Sequence, residues 1–379
     1  MKKSKKKKTP WTQWAVMAVA VLLGVVFGLC GGSFLDAILE EDVSPGKMLL
    51  YFSITLVAMY AAAFVQTIIH EGGHLLFGLL SGYRFSSFRI MSFMWIKEED
   101  KLKFRRLSIA GTGGQCLMTP PELLDGNFPV FLYNLGGSFL NIISGIIFLL
   151  LHHATPHIPI FSAGCLLLAV IGFAFALLNG IPIKTSTIDN DGHNALSLRH
   201  NAEARRAFWV QLHVNSEVAR GVRLKDMPKE WFVLPDDTAM KNSLVATMGV
   251  FACGRLMDAH QFEEADRLMA HLLELDSGMA GLHRRLMICD RIYVELITQN
   301  RRETVKKMLS KEQKKFMKSM KNFPSVLRTE YTYARLAKSD NTKAEKIKVQ
   351  FEKCAKTYPY PVDIQSEREL MELAEKNPV

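Results

Sequence analysis

Four long runs of this chain carry almost no charge: residues 14–35, 49–80, 128–151 and 160–183. Each reaches the roughly 20 residues that a helix needs to cross a bilayer. A helix satisfies its own backbone in hydrocarbon, so runs of this length constrain the chain to an α-helical polytopic membrane protein with about four transmembrane helices. After about residue 200 the composition becomes charged and ordinary for a water-soluble helical domain. Three segments follow from this change: a basic N-terminus with a first anchor (1–47), a membrane core (48–198) and an all-α cytosolic domain (199–379).

Orientation follows from charge. The formal net charge is +10, and Lys2, Lys3, Lys5, Lys6, Lys7 and Lys8 precede the first apolar run. A basic flank beside a spanning helix stays in the cytoplasm, a reading preferred here over a nucleic-acid arm. No small-x-small cleavage site follows the run, and Leu29 precedes Cys30 where a lipoprotein signal has a small residue, so the run reads as an uncleaved anchor. Alternating across four spans puts the acidic loop 36–47 outside. The loop 81–127, with Arg84, Arg89, Lys97, Lys101, Lys103, Arg105 and Arg106, then falls inside. Both termini are expected in the cytoplasm of a multi-pass cell-membrane protein. Six scattered cysteines without a C-x-x-C pair read as free, mostly buried thiols.

The second run is interrupted by His70-Glu71-Gly72-Gly73-His74. Two histidines four apart lie one above the other on a helix face and can reach one Zn²⁺, with the glutamate between them as general base. Ionisable groups inside a spanning segment are expensive and read as functional. In the third run, Asn134-Leu135-Gly136-Gly137-Ser138-Phe139-Leu140-Asn141 combines small residues with an asparagine that needs a partner at membrane depth. Two readings of Asn141 stand: helix-packing glue, or a residue lining the active-site cavity.

Between the second and third runs, residues 85–96 and 102–107 flank a charged turn and suggest a small β-hairpin near the membrane surface. Gly111-Thr112-Gly113-Gly114 is a flexible turn lacking the ending of a phosphate loop. In the C-terminal half, apolar faces over 251–276 and 331–358 suggest either tetratricopeptide-like helix pairs or an irregular bundle.

Two histidines leave a zinc site one protein ligand short. Asp189, Asn190, Asp191 and His193 follow the fourth run and could bind metal or its water. His70 and His74 lie about 10–15 Å of helix from the inner end of the second run, so both segments reach the same leaflet.

Here the sequence resembles the site-2 protease family of intramembrane zinc metalloproteases, over roughly residues 50–195. The resemblance rests on His70-Glu71-x-x-His74 at the end of one span, and on Asn179-x-x-Pro182 followed by Asp191-Gly192 at the end of a later one. It implies His70, His74 and Asp191 as ligands of one Zn²⁺ per chain, Glu71 as general base, and Asn179 near the substrate backbone. Gly137-x-x-x-Asn141 is similar to the family's Gly-Pro-x-x-Asn element, with Ser138 in place of Pro, which puts Asn141 in the substrate-binding set. The gap from Pro182 to Asp191 is longer than usual in the family, which leaves Asp189 as a rival ligand.

The expected activity is hydrolysis of a peptide bond in a membrane-embedded protein or peptide, whose helix must first be unwound. An edge of the hairpin is expected to capture the unwound strand. The alternative is a catalytically inactive membrane-anchored adaptor whose helical domain binds a protein partner. A transporter would need polar residues across several spans, and the first shows none of note. The partners expected are the substrate, the lipid bilayer and a protein bound by the cytosolic domain, with no nucleic acid.

Overall fold

The structure, a computed structural model, describes residues 11–40, 43–98, 101–107, 113–183 and 190–376, with side chains from residue 24 onward. The lysines at positions 2–8, Glu41, Asp42, Gly111, Thr112 and Asp189 lie outside the described residues.

Helices take up the apolar runs: α1 (Trp11–Ile38), α2 (Pro45–Leu80), α3 (Phe131–Ala154) and α4 (Pro159–Gly180). Among the described residues, α2, α3 and α4 are long and apolar enough to cross a membrane, whereas the described apolar part of α1, Gly24–Ile38, is shorter. Along α2 the side chains of Leu49, Val57, Tyr60 and Leu80 are exposed. Apolar groups left uncovered along a continuous helix suit hydrocarbon rather than water.

The insertion after α2 is larger than the expected hairpin. It is a four-stranded antiparallel sheet of β1 (Arg84–Ile90), β2 (Phe93–Glu98), β3 (Lys101–Arg106) and β4 (Gly114–Thr119), in the order β3-β2-β1-β4. The run 85–96 is therefore two strands rather than one. Its turn, Met91-Ser92, carries no Gly, Asn or Pro, and Ser92 alone is a weak signal. One distant and one local bond hold it: Met91 adopts φ +54°, its N–H donates to Gly113 O at 2.8 Å, and Arg89 Nη1 donates to its carbonyl at 2.7 Å.

Helices account for most of the remainder. They are α5 (Asp191–His200), α6 (Ala202–Ala219), α7 (Ser243–Asp258), α8 (Phe262–Glu274) and α9 (Gly281–Thr298). The chain continues through α10 (Arg302–Met308), α11 (Lys311–Ser319), α12 (Pro324–Thr332), α13 (Asn341–Ala355) and α14 (Pro361–Lys376).

Two compact units result: Met1–Gly73 with Gly136–Ile181, and His74–Leu135 with Pro182–Val379. This division follows packing and falls inside α2, whereas the three-part division above follows composition. In the first unit α1 packs on α4, and Cys30, Ala62, Leu167 and Ile171 form the buried centre. In the second, Met94 and Ile96 of β2 join the helical core that includes Met269, Leu272, Tyr293 and Phe351. Cys116 and Met118 of β4 join Tyr83, Phe128 and Phe208 in an adjoining cluster.

Charge is also buried in the second unit. The Arg328 side chain is fully buried, bonded to Asp290, paired with Glu367 at 2.9 Å and stacked 4.5 Å from the Tyr293 ring centre. Arg223 joins Asp258 at 2.5 Å and Glu369 at 2.6 Å. Burial, reinforced by neighbouring carboxylates, pushes Asp363 up to about 7, and burial does the same to Glu367 despite Arg328. A carboxyl that binds its proton more tightly folded than unfolded loses stability as pH rises from the ordinary carboxylate range to about 7; above that the penalty is constant. Asp363→Asn is therefore expected to raise the thermal midpoint at pH 8 by about 1–2 °C, equivalent to about 1 kcal/mol for this half-buried group, and to leave it nearly unchanged near pH 4. Calorimetry of the solubilised chain at both pH values checks this.

Candidate metal centre

α2 is poorly covered along its length, yet His70, Glu71 and His74 are each only 7% exposed. The cover over His70 comes from α3. A β-carbon at Gly137 would lie 2.5–2.7 Å from the His70 ring, and one at Gly73 would overlap the Gly136 carbonyl. Only glycine at these positions lets the two helices approach closely enough to shield the imidazole.

The approach creates a buried polar network. Asn141 Nδ2 donates to Gln66 O at 3.1 Å and to Gln66 Oε1 at 2.8 Å. Gln66 Nε2 donates to Leu168 O of α4 at 2.9 Å, and Ser144 Oγ donates to Gln66 Oε1 at 3.3 Å. Gln66 and Asn141 are fully buried. The carbonyl of Gln66 can only accept, so the amide nitrogen of Asn141 must face it. The amide oxygen of Asn141 then accepts from His70 Nδ1 at 2.7 Å. In neutral His70 this places the proton on Nδ1 and the lone pair on Nε2.

The second histidine is set by the same rule in the other unit. His74 Nδ1 donates to the Tyr133 carbonyl at 2.7 Å, again an acceptor only. Tyr133 is itself held by its hydroxyl, which donates to Cys116 O at 2.8 Å, and by stacking on Tyr83 with ring centres 4.6 Å apart.

Asp191 opens α5, where the helix dipole favours its ionised form. Asn190 caps that helix: its Oδ1 accepts from the backbone N–H groups of His193 and Ile183, each at 3.0 Å. The cap ties Ile183, just beyond α4, to the first turn of α5, and so fixes where Asp191 starts. Asp191 Oδ2 lies 3.4 Å from His74 Nε2. A lone pair facing a carboxylate oxygen at that distance requires a cation, either a proton or a metal.

The donor set could hold a metal ion. His70, His74 and Asp191 each offer one ligand atom, all within 4.8 Å of one another, and among the described residues they are the one such group. Ligands about 2.0–2.2 Å from a tetrahedral divalent ion are separated from each other by about 3.3–3.6 Å; the His74–Asp191 pair meets this at 3.4 Å, and the other two pairs lie within the wider 4.8 Å. His193 does not belong to this group, and the side-chain oxygen of Asn190 is engaged in the helix cap. Asn179, half-buried near the end of α4, donates from Nδ2 to the Phe175 carbonyl of its own helix at 3.0 Å.

The sequence reading passed over Gln66, Ser144 and Tyr133. Gln66 had a signal: a polar residue in an apolar run, one turn before His70 and on its face. Tyr133 had none, because it contributes a backbone carbonyl.

No protein-family model matches this chain, and neither the curated proteins nor the solved structures yield a match.

Residues that orient a metal-binding histidine typically contribute about 10–100-fold to metal affinity. Asn141→Leu is expected to weaken metal binding by that factor. Gly137→Ala, which drives a methyl group against the His70 ring, should do the same. Competition titration against a chromophoric chelator measures both, and unchanged affinity in Asn141→Leu would remove the tautomer argument.

Proposed function

We propose that this chain is an intramembrane zinc metalloprotease of the site-2 protease type, hydrolysing a peptide bond in a membrane-embedded protein or peptide. The observation that carries the reading is the His70, His74 and Asp191 group, with a buried glutamate between the histidines, on a helix apolar enough to cross a membrane. One Zn²⁺ bound to His70 Nε2, His74 Nε2 and an Asp191 oxygen would supply Lewis-acid polarisation of the peptide carbonyl and acidify a water.

The protein residues divide the remaining work. Glu71 takes the proton of the attacking water and returns one to the leaving amine. Asn141 acts as a positioning residue through His70, since its carboxamide is engaged with His70 and Gln66. Asn179, which the resemblance puts beside the substrate, would have to leave its bond to Phe175 to reach a substrate backbone. In the sheet, β3 is an edge strand. Apart from the Arg106 N–H, which is bonded to Thr357, its outer backbone groups offer an unwound substrate a strand to pair with. The basic loop and lysine-rich N-terminus support cytoplasmic termini.

Glu71→Gln is expected to retain the metal and lose about 10²–10⁴-fold in cleavage of a reconstituted membrane substrate. His70→Ala and Asp191→Ala are expected to lose the metal, read by elemental analysis of the purified chain. Full zinc retention in Asp191→Ala would overturn the assignment of the third ligand, and undiminished cleavage by Glu71→Gln would overturn the proposed reaction.

A further inference from the structure

The sheet of the second unit has two chemically different faces. Met94 and Ile96 of β2 point into the helical core and are fully buried. The opposite face carries the cross-strand pairs Phe93 with Arg106, Trp95 with Phe104, and Lys97 with Leu102. All six of these residues are exposed or partly exposed, with Leu102 63% and Phe104 51% open. The rings organise one another: Phe93 and Phe104 stack with centres 6.0 Å apart, Trp95 meets Phe104 edge-on at 5.8 Å, and the Arg106 guanidinium sits 5.3 Å above Phe93.

Arg106 also begins a second feature. A cleft of about 850 Å³ opens between the end of β3 and the helices α11 and α13, and the backbone N–H of Arg106 donates to Thr357 O across it at 3.0 Å. Arg106, Lys321, Lys353 and Lys356 line this cleft, and no aspartate or glutamate does. Among the described residues none of the four forms an ion pair, although lysines and arginines elsewhere in the unit do. An exposed aromatic face running into a cleft of unpaired cations is the composition of a surface that meets lipid headgroups. The rings suit the interfacial layer and the cations suit anionic headgroups.

We propose that the outer face of β2–β3 and the adjoining Arg106–Lys321–Lys353–Lys356 cleft dock on the anionic phospholipid surface of a bilayer. The charge complementarity selects the lipid class: headgroups with net negative charge rather than zwitterionic ones. This goes beyond the proteolytic reading and does not depend on the metal centre.

The test uses the full chain in nanodiscs of phosphatidylcholine alone or mixed with phosphatidylglycerol, followed by hydrogen–deuterium exchange and mass spectrometry. Peptides covering residues 93–107 and 353–358 are expected to exchange at least about fivefold more slowly in the anionic discs, since even one cation near such a surface contributes about fivefold to partitioning. High salt should remove the difference. The variant Arg106→Gln/Lys321→Gln/Lys353→Gln/Lys356→Gln should exchange in anionic discs as the wild type does in zwitterionic ones, with α9 and α12 protected as before. Equal exchange of the wild-type chain in the two lipids overturns the proposal, whatever the variant does. So does equal protection produced by adding inorganic phosphate to the zwitterionic discs, which would assign the cleft to a soluble anion.

Discussion

The bond between His70 and Asn141 depends on what holds the far side of the Asn141 carboxamide. Gln66 accepts from it twice, and its own amide is anchored on the Leu168 carbonyl of α4. Three helices thereby share one buried polar chain, and its last member is a histidine whose Nδ1 bears the proton. Each such bond between apolar helices contributes only about 0.6–1.7 kcal/mol. The network's larger effect is directional: it leaves one nitrogen of His70 as the acceptor and fixes the plane in which that lone pair lies.

The glycines explain how such a network can exist among helices that are otherwise apolar. Gly73 and Gly137 bring α2 and α3 to backbone contact, and Gly172 of α4 admits the Gln66 amide, whose nitrogen would lie 2.8 Å from a β-carbon there. With alanine at these positions the helices would stand apart, and Gln66 and Asn141 would remain desolvated without partners. Small residues and buried amides are therefore one design feature. Either alone would cost stability: close backbones with nothing to bond, or polar groups with nothing in reach.

Much of this was legible in the sequence, for identifiable reasons. A helix repeats every 3.6 residues, so His70 and His74 had to share a face, and an amide at membrane depth had to find a partner. A two-histidine site lacks a ligand, but the residues alone left Asp189, Asn190, Asp191 and His193 as candidates, and only the resemblance of the Asp-Gly pair to the site-2 protease motif singled out Asp191. The strand break at Met91 was not legible, because Ser92 alone is a weak turn signal and Gly113, which accepts from Met91, lies in a distant part of the chain. The role of Tyr133 was hidden for a related reason: a backbone carbonyl is present at every position, and only the fold decides which one a histidine meets. Asn141 was legible as a polar anomaly, but its bonds to Gln66 and His70 needed the coordinates of three helices.

The helix α2 carries both histidines. Apolar side chains stay exposed along its length, from Leu49 to Leu80, while on its last turns Gly78 lies against Met118 and Tyr133. The two histidines lie one turn apart on it. Nothing in the loops needs to align them, because an unbroken helix sets their spacing. The two histidines are oriented by different partners. His70 is oriented by a side-chain carboxamide, that of Asn141. His74 is oriented by a main-chain carbonyl, which the adjoining aromatic core holds in place. The two histidines of a single helix thus reach the same tautomer by two different means, and in that tautomer each Nε2 carries the lone pair that a metal ligand needs.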